Sequence, residues 1–205
     1  MKILEEFIGV DNLEFKIVEY DPSLLDDLKL FCEKCKSQDM KNNESIKALK
    51  FGKWGKQEKW WLVYHYNKII SISGAHYLPH VNKNCYMVNY RLATLKEYRG
   101  YASPKMNSRM QNCFGFGRMI PYQIDWCIEQ GATDCVISMT SEKYSNDNSG
   151  TMHKAYKLAK KFYPMEDKLT LLHEDYPLYG IRQDVWRFNI RDFNTLERID
   201  YERNK

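Results

Sequence analysis

Residues 112–132 read NCFGFGRMIPYQIDWCIEQGA. Gly115 and Gly117 stand one residue apart, Arg118 follows, and about fourteen residues at helical spacing then run to Gly131. Met119, Tyr122, Ile124, Trp126, Cys127 and Ile128 share helical intervals, and a glycine is the common C-terminal stop. The N-terminus of a helix carries unpaired N–H groups and the positive end of the helix dipole, and glycine lets backbone approach an anion closely. The pair therefore fits a phosphate cradle built from the amides of Phe114, Gly115, Phe116, Gly117 and Arg118, with the Arg118 guanidinium beside it. Taken alone it fits an ordinary flexible loop before a helix better. Two better-known loops fail on spacing: a Walker loop needs Lys-Ser/Thr where Arg118-Met119 stands, and the dinucleotide fingerprint needs a third glycine where Ile120 stands.

Outward from this stretch the pattern is mixed. Residues 13–21, LEFKIVEYD, alternate as a strand, and Asp21-Pro22-Ser23 opens a helix whose apolar face is Leu24, Leu25, Leu28, Phe31 and Cys32. A short helix fits residues 44–51. Residues 59–66 and 68–78 are β-rich and meet at the turn Asn67-Lys68, and residues 85–95 follow a polar turn, so the three form an antiparallel meander. After the glycine helix come a continuously apolar strand, DCVISMT (residues 134–140), a helix over 151–163, and strands over 169–174 and 184–190. A strand, a helix and a further strand in that order imply a right-handed crossover and a parallel pair. No linker or repeat divides the 205 residues, which suit one domain with an irregular insertion at 99–111 and a charged tail at 191–205.

Composition narrows the classes. The fifteen Tyr and the apolar content are those of a packed chain, and the net charge of +4 is low for a dedicated nucleic-acid binder. No run approaches the ~20 apolar residues of a membrane span. The N-terminus MKILEEFIGV breaks its apolar run with acids, unlike a signal peptide, and the six Cys are scattered, so a cytoplasmic, reducing setting is expected. Cys32-x-x-Cys35 has no second ligand pair, and a zinc site needs four ligands, so no metal is expected. Six lysines between Lys41 and Lys59 fit a solvated face, or a patch for an acidic partner or nucleic acid.

Two blocks carry a resemblance. LATLKEYRG (Leu92–Gly100) resembles the end of the fourth strand and the turn after it in the GNAT superfamily of acyl-CoA-dependent N-acetyltransferases. NCFGFG (Asn112–Gly117) is similar to that family's Gln/Arg-x-x-Gly-x-Gly/Ala loop, with Asn112 at the first position. About a dozen residues separate the two blocks, and RGYA (residues 99–102) is a second, degraded match to the same loop. The order of elements over residues 13–190 is also similar.

The resemblance implies an α/β fold: a mixed sheet of about six to seven strands, an antiparallel meander followed by a parallel pair of fourth and fifth strands, and about four flanking helices. It implies acetyl-CoA, or a close acyl-CoA, as co-substrate. The pantetheine arm would lie in a gap between Leu92, Ala93, Thr94 and Leu95 and the strand at 136–139, and the diphosphate on the amides of residues 115–118, with Asn112 and Asn148 also contributing. Arg99, Lys105 and Arg109 could reach further phosphates. An amine would attack the thioester directly. It must first lose a proton that an alkyl ammonium holds with a pKa of ~10.4, and an acid would assist the leaving thiolate. The family's acid is a Tyr on the helix after the fifth strand. Tyr156, in NSGTMHKAYKLAKKFYP, lies one turn early for that role, and Tyr144 is the alternative. On the acceptor side His76, His80, Glu58, Trp60, Trp61 and the segment EDYPLYG (residues 174–180) are candidates, each also readable as turn or core. The acceptor expected is a small-molecule or peptide amine, and a second copy of the chain is an open partner. The rivals are a member of the fold that has lost turnover, and a nucleic-acid- or protein-binding module using residues 41–59.

Overall fold

The computed structural model describes residues 1–37, 57–102, 113–140 and 169–188. One eight-stranded mixed sheet organises them. Its strands are β1 (Lys2–Ile8), β2 (Glu14–Glu19), β3 (Glu58–His65), β4 (Lys68–Tyr77), β5 (Cys85–Thr94), β6 (Asp134–Thr140), β7 (Leu169–Leu178) and β8 (Ile181–Phe188). They lie in the order β1-β2-β3-β4-β5-β6-β8-β7. Every pairing is antiparallel except β5 with β6. Eight strands replace the expected six to seven, because residues 2–8 form β1. Their alternation is hidden in the sequence by a register shift between Ile3 and Glu5 and by the inward-facing Glu5.

Two α-helices are present among the described residues. The first, α1 (Leu25–Ser37), begins where the sequence marks it: Asp21 accepts from the Ser23 amide at 2.9 Å, and Pro22 opens the turn. It buries Leu28, Phe31, Cys32 and Cys35 on one face of the sheet, where the Tyr64 hydroxyl donates to Asp27 at 2.9 Å. The second, α2 (Ile120–Glu129), covers the opposite face, with Trp126 against Trp61 and Tyr86. Tyr64 and Trp61 lie three apart on β3, so strand alternation sends them to opposite sides. The expected helices at 44–51 and 151–163, the tail at 191–205 and most of the insertion lie outside the described residues. No described helix is long and apolar enough to cross a membrane.

The last hairpin is longer than expected. Residues 174–178 belong to β7 instead of to a loop, and the turn is Tyr179-Gly180, with φ of 55° and 79°. Pro177 signals a loop in the sequence, yet an edge strand tolerates proline on its unpaired side, and β7 is the edge of the sheet.

Candidate active site

The parallel pair is short. β5 and β6 bridge only at Cys85–Asp134, Tyr86–Cys135 and Met87–Val136. β5 then runs on to Thr94 and β6 to Thr140 with no pairing between them, while β6 stays paired with β8 as far as Thr140. The cause lies in β5. Against β4 its register runs Met87–His76, Tyr90–Gly74, Ala93–Ile72, which inserts an extra residue in each interval. Asn89 and Arg91 absorb the extra length at φ of 52° and 54°. Two bulges in succession bend a strand sharply and raise its twist, and here they turn β5 away from β6.

A buried polar network holds the first bulge. The Asn89 amide donates to Gln123 Oε1 of α2 at 2.6 Å, Gln123 Nε2 donates to Ser73 Oγ at 2.9 Å, and Ser73 Oγ donates to Asn89 Oδ1 at 3.0 Å. Gln123 thus supplies the acceptor that a neighbouring strand would otherwise offer. Neither Gln123 nor Asn89 is marked by a motif. The one available signal is a polar residue among the apolar positions of a helix that reads as core-facing.

The glycine segment is helical. A wide turn covers Gly115–Met119, and the Ile120 amide bonds the Gly115 carbonyl five residues back. Pro121 supplies a reason: it has no N–H for the Gly117 carbonyl, and its ring presses on that carbonyl, which a π-type turn relieves. Gly115 packs under β5. A Cβ there would lie 2.5 Å from Leu92 Cδ2 and 2.9 Å from Asn89 Oδ1. The first glycine of the pair is therefore required by the approach of a helix to the bulged strand.

The other expected binding residues divide. The Leu95 amide donates to Ile70 of β4 at 2.9 Å, so alternation aims the Thr94 and Leu92 amides at the parted edge. Ala93 and Thr94 are tied to β4 through Ser71 Oγ, at 2.9 and 2.8 Å. Arg99, exposed at the end of β5, donates from Nε to the Thr94 carbonyl at 3.3 Å. The backbone of Phe116 lies in the wide turn. The Gly117 amide already has an acceptor, the Cys113 carbonyl at 2.7 Å. The Arg118 guanidinium points away from the expected cradle: it pairs with buried Glu5 at 3.0 Å, donates to the Ala102 carbonyl and covers the Phe7 ring. Asn112, Tyr144, Asn148, Tyr156, Lys105 and Arg109 lie outside the described residues.

On the α1 face, beside the start of the gap, aromatic and polar groups converge. His76 of β4 is fully buried, its Nε2 lies 2.5 Å from the Tyr179 hydroxyl, and its ring meets Tyr90 of β5 edge-on at 4.6 Å. Tyr179 packs on Tyr90 at 5.5 Å, and burial pushes its phenol pKa well up. The Trp60 ring lies 5.6 Å from that of Tyr90, tilted by 56°, and its indole N–H has no acceptor among the described residues. Trp61 belongs to the opposite face, against Trp126. His80 lies in the turn after β4, where its carbonyl accepts the Tyr176 hydroxyl. Cys32 and Cys35 face the core, and burial raises their thiols to about 11 and about 12, so both stay protonated at neutral pH.

A meander running into a parallel pair that parts, with a helix N-terminus at the opening, is the architecture of the GNAT acetyltransferases. Solved structures agree on the fold. The chain is similar to a GNAT-family acetyltransferase from Staphylococcus aureus Mu50, with 14% identity, 86% of this chain and 99% of that chain covered, and a TM-score of 0.52. It is similar to the GNAT domain of S. lividans PAT, with 7% identity, 90% and 96% covered, and a TM-score of 0.57. It is also similar to an aminoglycoside 6'-N-acetyltransferase complexed with coenzyme A, with 11% identity, 85% and 96% covered, and a TM-score of 0.51. No protein-family model matches the sequence, and no curated protein matches it.

Proposed function

We propose that this chain is an N-acyltransferase that moves an acetyl or similar acyl group from acyl-CoA to an amine by direct attack. The observation that carries the reading is the gap that opens after Met87 and Val136, bordered by the Leu92 and Thr94 amides and ending at the helix that starts at Phe114. An unpaired parallel edge offers hydrogen bonds in register to an extended amide chain such as pantetheine. The first-turn amides of the helix suit a diphosphate. With Gly117 and Arg118 committed within the protein, the cradle rests on Phe114, Gly115 and Phe116, and Arg99, which bonds the Thr94 carbonyl, is a described cation proposed to add charge. Asn112 and Asn148 keep their proposed binding roles, and Tyr156 or Tyr144 the role of acid toward the departing thiolate. The coenzyme A complex of a protein with the same fold supports acyl-CoA as co-substrate. The acceptor is proposed to be a small-molecule or peptide amine.

Acetyl-CoA should raise the melting temperature, because a ligand that binds only the native state stabilises it by mass action. Gly117→Asp should weaken that shift by placing a carboxylate one residue beyond the cradle. No shift at millimolar acetyl-CoA would discard the reading. The commitment of Gly117 and Arg118 favours a second reading, a fold member without turnover in which CoA binding is lost or purely structural; it predicts no thiol release over an amine panel, with or without a thermal shift. Of the lysine-rich segment, Lys59 is paired with Glu19 at 2.9 Å; residues 41–56 lie outside the described residues.

A further inference from the structure

A strand gap opens through a sheet, so what stands on its far face meets whatever the gap holds. The glycine helix lies on the α2 face. On the α1 face, at the point where β5 leaves β6, stand His76, Tyr90 and Tyr179. The tautomer of His76 follows from its partners. Nδ1 lies 2.7 Å from the Tyr77 carbonyl, which accepts only, so Nδ1 carries the hydrogen. In the neutral ring Nε2 is then the acceptor, and Tyr179 donates its hydroxyl proton to it across 2.5 Å. A phenol oxygen that donates its hydrogen keeps acceptor capacity. Tyr179 reaches this place from the tip of the β7–β8 hairpin, at φ of 55°. A bulky side chain seldom adopts that conformation, and turns of this kind favour Asn or Gly. The contacts with His76 and Tyr90 hold it there.

We propose that Tyr179 and His76 form a proton relay that deprotonates the acceptor amine; this rests on the acyl-transfer reading above. One N–H proton of the bound ammonium passes to Tyr179 Oη as the hydroxyl proton of Tyr179 passes to His76 Nε2. The amine lone pair so released forms the C–N bond at the thioester carbon, and the C–S bond breaks. The second N–H proton ends on the departing sulfur, and the proton on His76 returns through Tyr179 to water. The Tyr77 carbonyl, already bonded to Nδ1–H, stabilises the transient imidazolium. Among the described residues, Glu58 lies cross-strand from His76 on β3, Tyr90 and Tyr179 meet its ring, and Arg91 and Cys85 of β5 lie by Tyr90 and Tyr179. Desolvation holds Tyr179 protonated, so it relays the proton without ionising on its own.

The test compares two small amines with acetyl-CoA, read as thiol release: 1,4-diaminobutane, an ammonium at neutral pH, and hydroxylamine, neutral there. Tyr179→Phe keeps the ring on Tyr90 and removes only the hydroxyl. Its kcat/KM for the diamine should fall about a hundredfold, the lower range of general-base effects, and for hydroxylamine by no more than about threefold. His76→Gln should show the same split. If that variant does not fold, Tyr179→Phe decides alone. Equal losses on both amines, or no loss on either, would overturn the relay. So would a native chain that acetylates hydroxylamine but not the diamine, or one that releases no thiol while acetyl-CoA still raises its melting temperature. In that last case acyl-CoA binding survives. Absence of both thiol release and thermal shift removes the acyl-transfer reading and the relay with it.

Discussion

Gly115 shows how much one missing methyl group decides. Nothing about its backbone demands glycine by sign of φ; the demand comes from Leu92 Cδ2 and Asn89 Oδ1, which a Cβ would meet at 2.5 and 2.9 Å. Within a helix, alanine exceeds glycine by about 1 kcal/mol, whereas overpacking costs about 1–3 kcal/mol. Overpacking wins here, because Asn89 Oδ1 is fixed by Ser73 and cannot retreat cheaply. Gly115→Ala should therefore lower stability by roughly 1–2 kcal/mol in urea unfolding. Combined with Leu92→Ala, which vacates the nearer contact, the same change should cost less yet remain destabilising relative to Leu92→Ala alone, because the Asn89 contact stays. In the sequence both glycines fit anion binding or an ordinary loop. The sequence could mark that glycine was needed, but not by what, since Leu92 lies on a different element and the contact is purely tertiary.

At the scale of elements, two buried polar ties hold the helix against the sheet, and they predict different phenotypes. Gln123 joins α2 to the β5 bulge. Gln123→Leu would leave the Asn89 amide without this acceptor and Ser73 Oγ without this donor, while the Ser73–Asn89 bond remains. An unsatisfied buried group costs about 1–3 kcal/mol, and the bulge that parts the strands should relax. Both urea stability and acetyl-CoA affinity should then fall. Arg118, in the wide turn before α2, joins that turn to β1 through Glu5, which also accepts the Tyr122 hydroxyl of α2 at 3.0 Å. Removing one partner of a buried pair costs about 3–5 kcal/mol. Arg118→Met should therefore lower the melting temperature and speed hydrogen exchange in β1, yet leave acetyl-CoA affinity, measured by calorimetry on the folded protein, within about twofold. A large loss of affinity at unchanged stability would return Arg118 to the phosphate. These elements were legible unequally. The meander, α1 and its cap, and the glycine helix announce themselves through period and capping residues. β1 was obscured because its inward Glu5 looks solvent-facing until Arg118 arrives, and the end of β7 because Asp175 and Pro177 mimic a loop. The bulges at Asn89 and Arg91 leave no local signature at all, although they open the gap.

Across the whole molecule, burial has placed many weak acids out of water. The Cys32, Cys35 and Cys85 thiols are pushed by desolvation from 9.0 to about 11, about 12 and about 12. The Tyr64 and Tyr179 phenols are likewise raised above 10.0, by burial first and then by Asp27 for Tyr64 and Tyr90 for Tyr179. For each group the neutral form belongs to the folded state, and the unfolded chain releases its proton at a lower pH. Their contribution is thus fully present below the ordinary values and is lost as pH climbs toward the folded ones. Stability should hold level through neutral pH and then decline steadily from about pH 9. Urea midpoints taken across that range measure the decline. Tyrosinate absorbance supplies an independent check, because the buried phenols should ionise together with unfolding and the exposed Tyr66 ahead of it. Coincident early ionisation of all tyrosines in a still-folded chain would mean that Tyr64 and Tyr179 meet water, and with them the side of the sheet on which the relay stands.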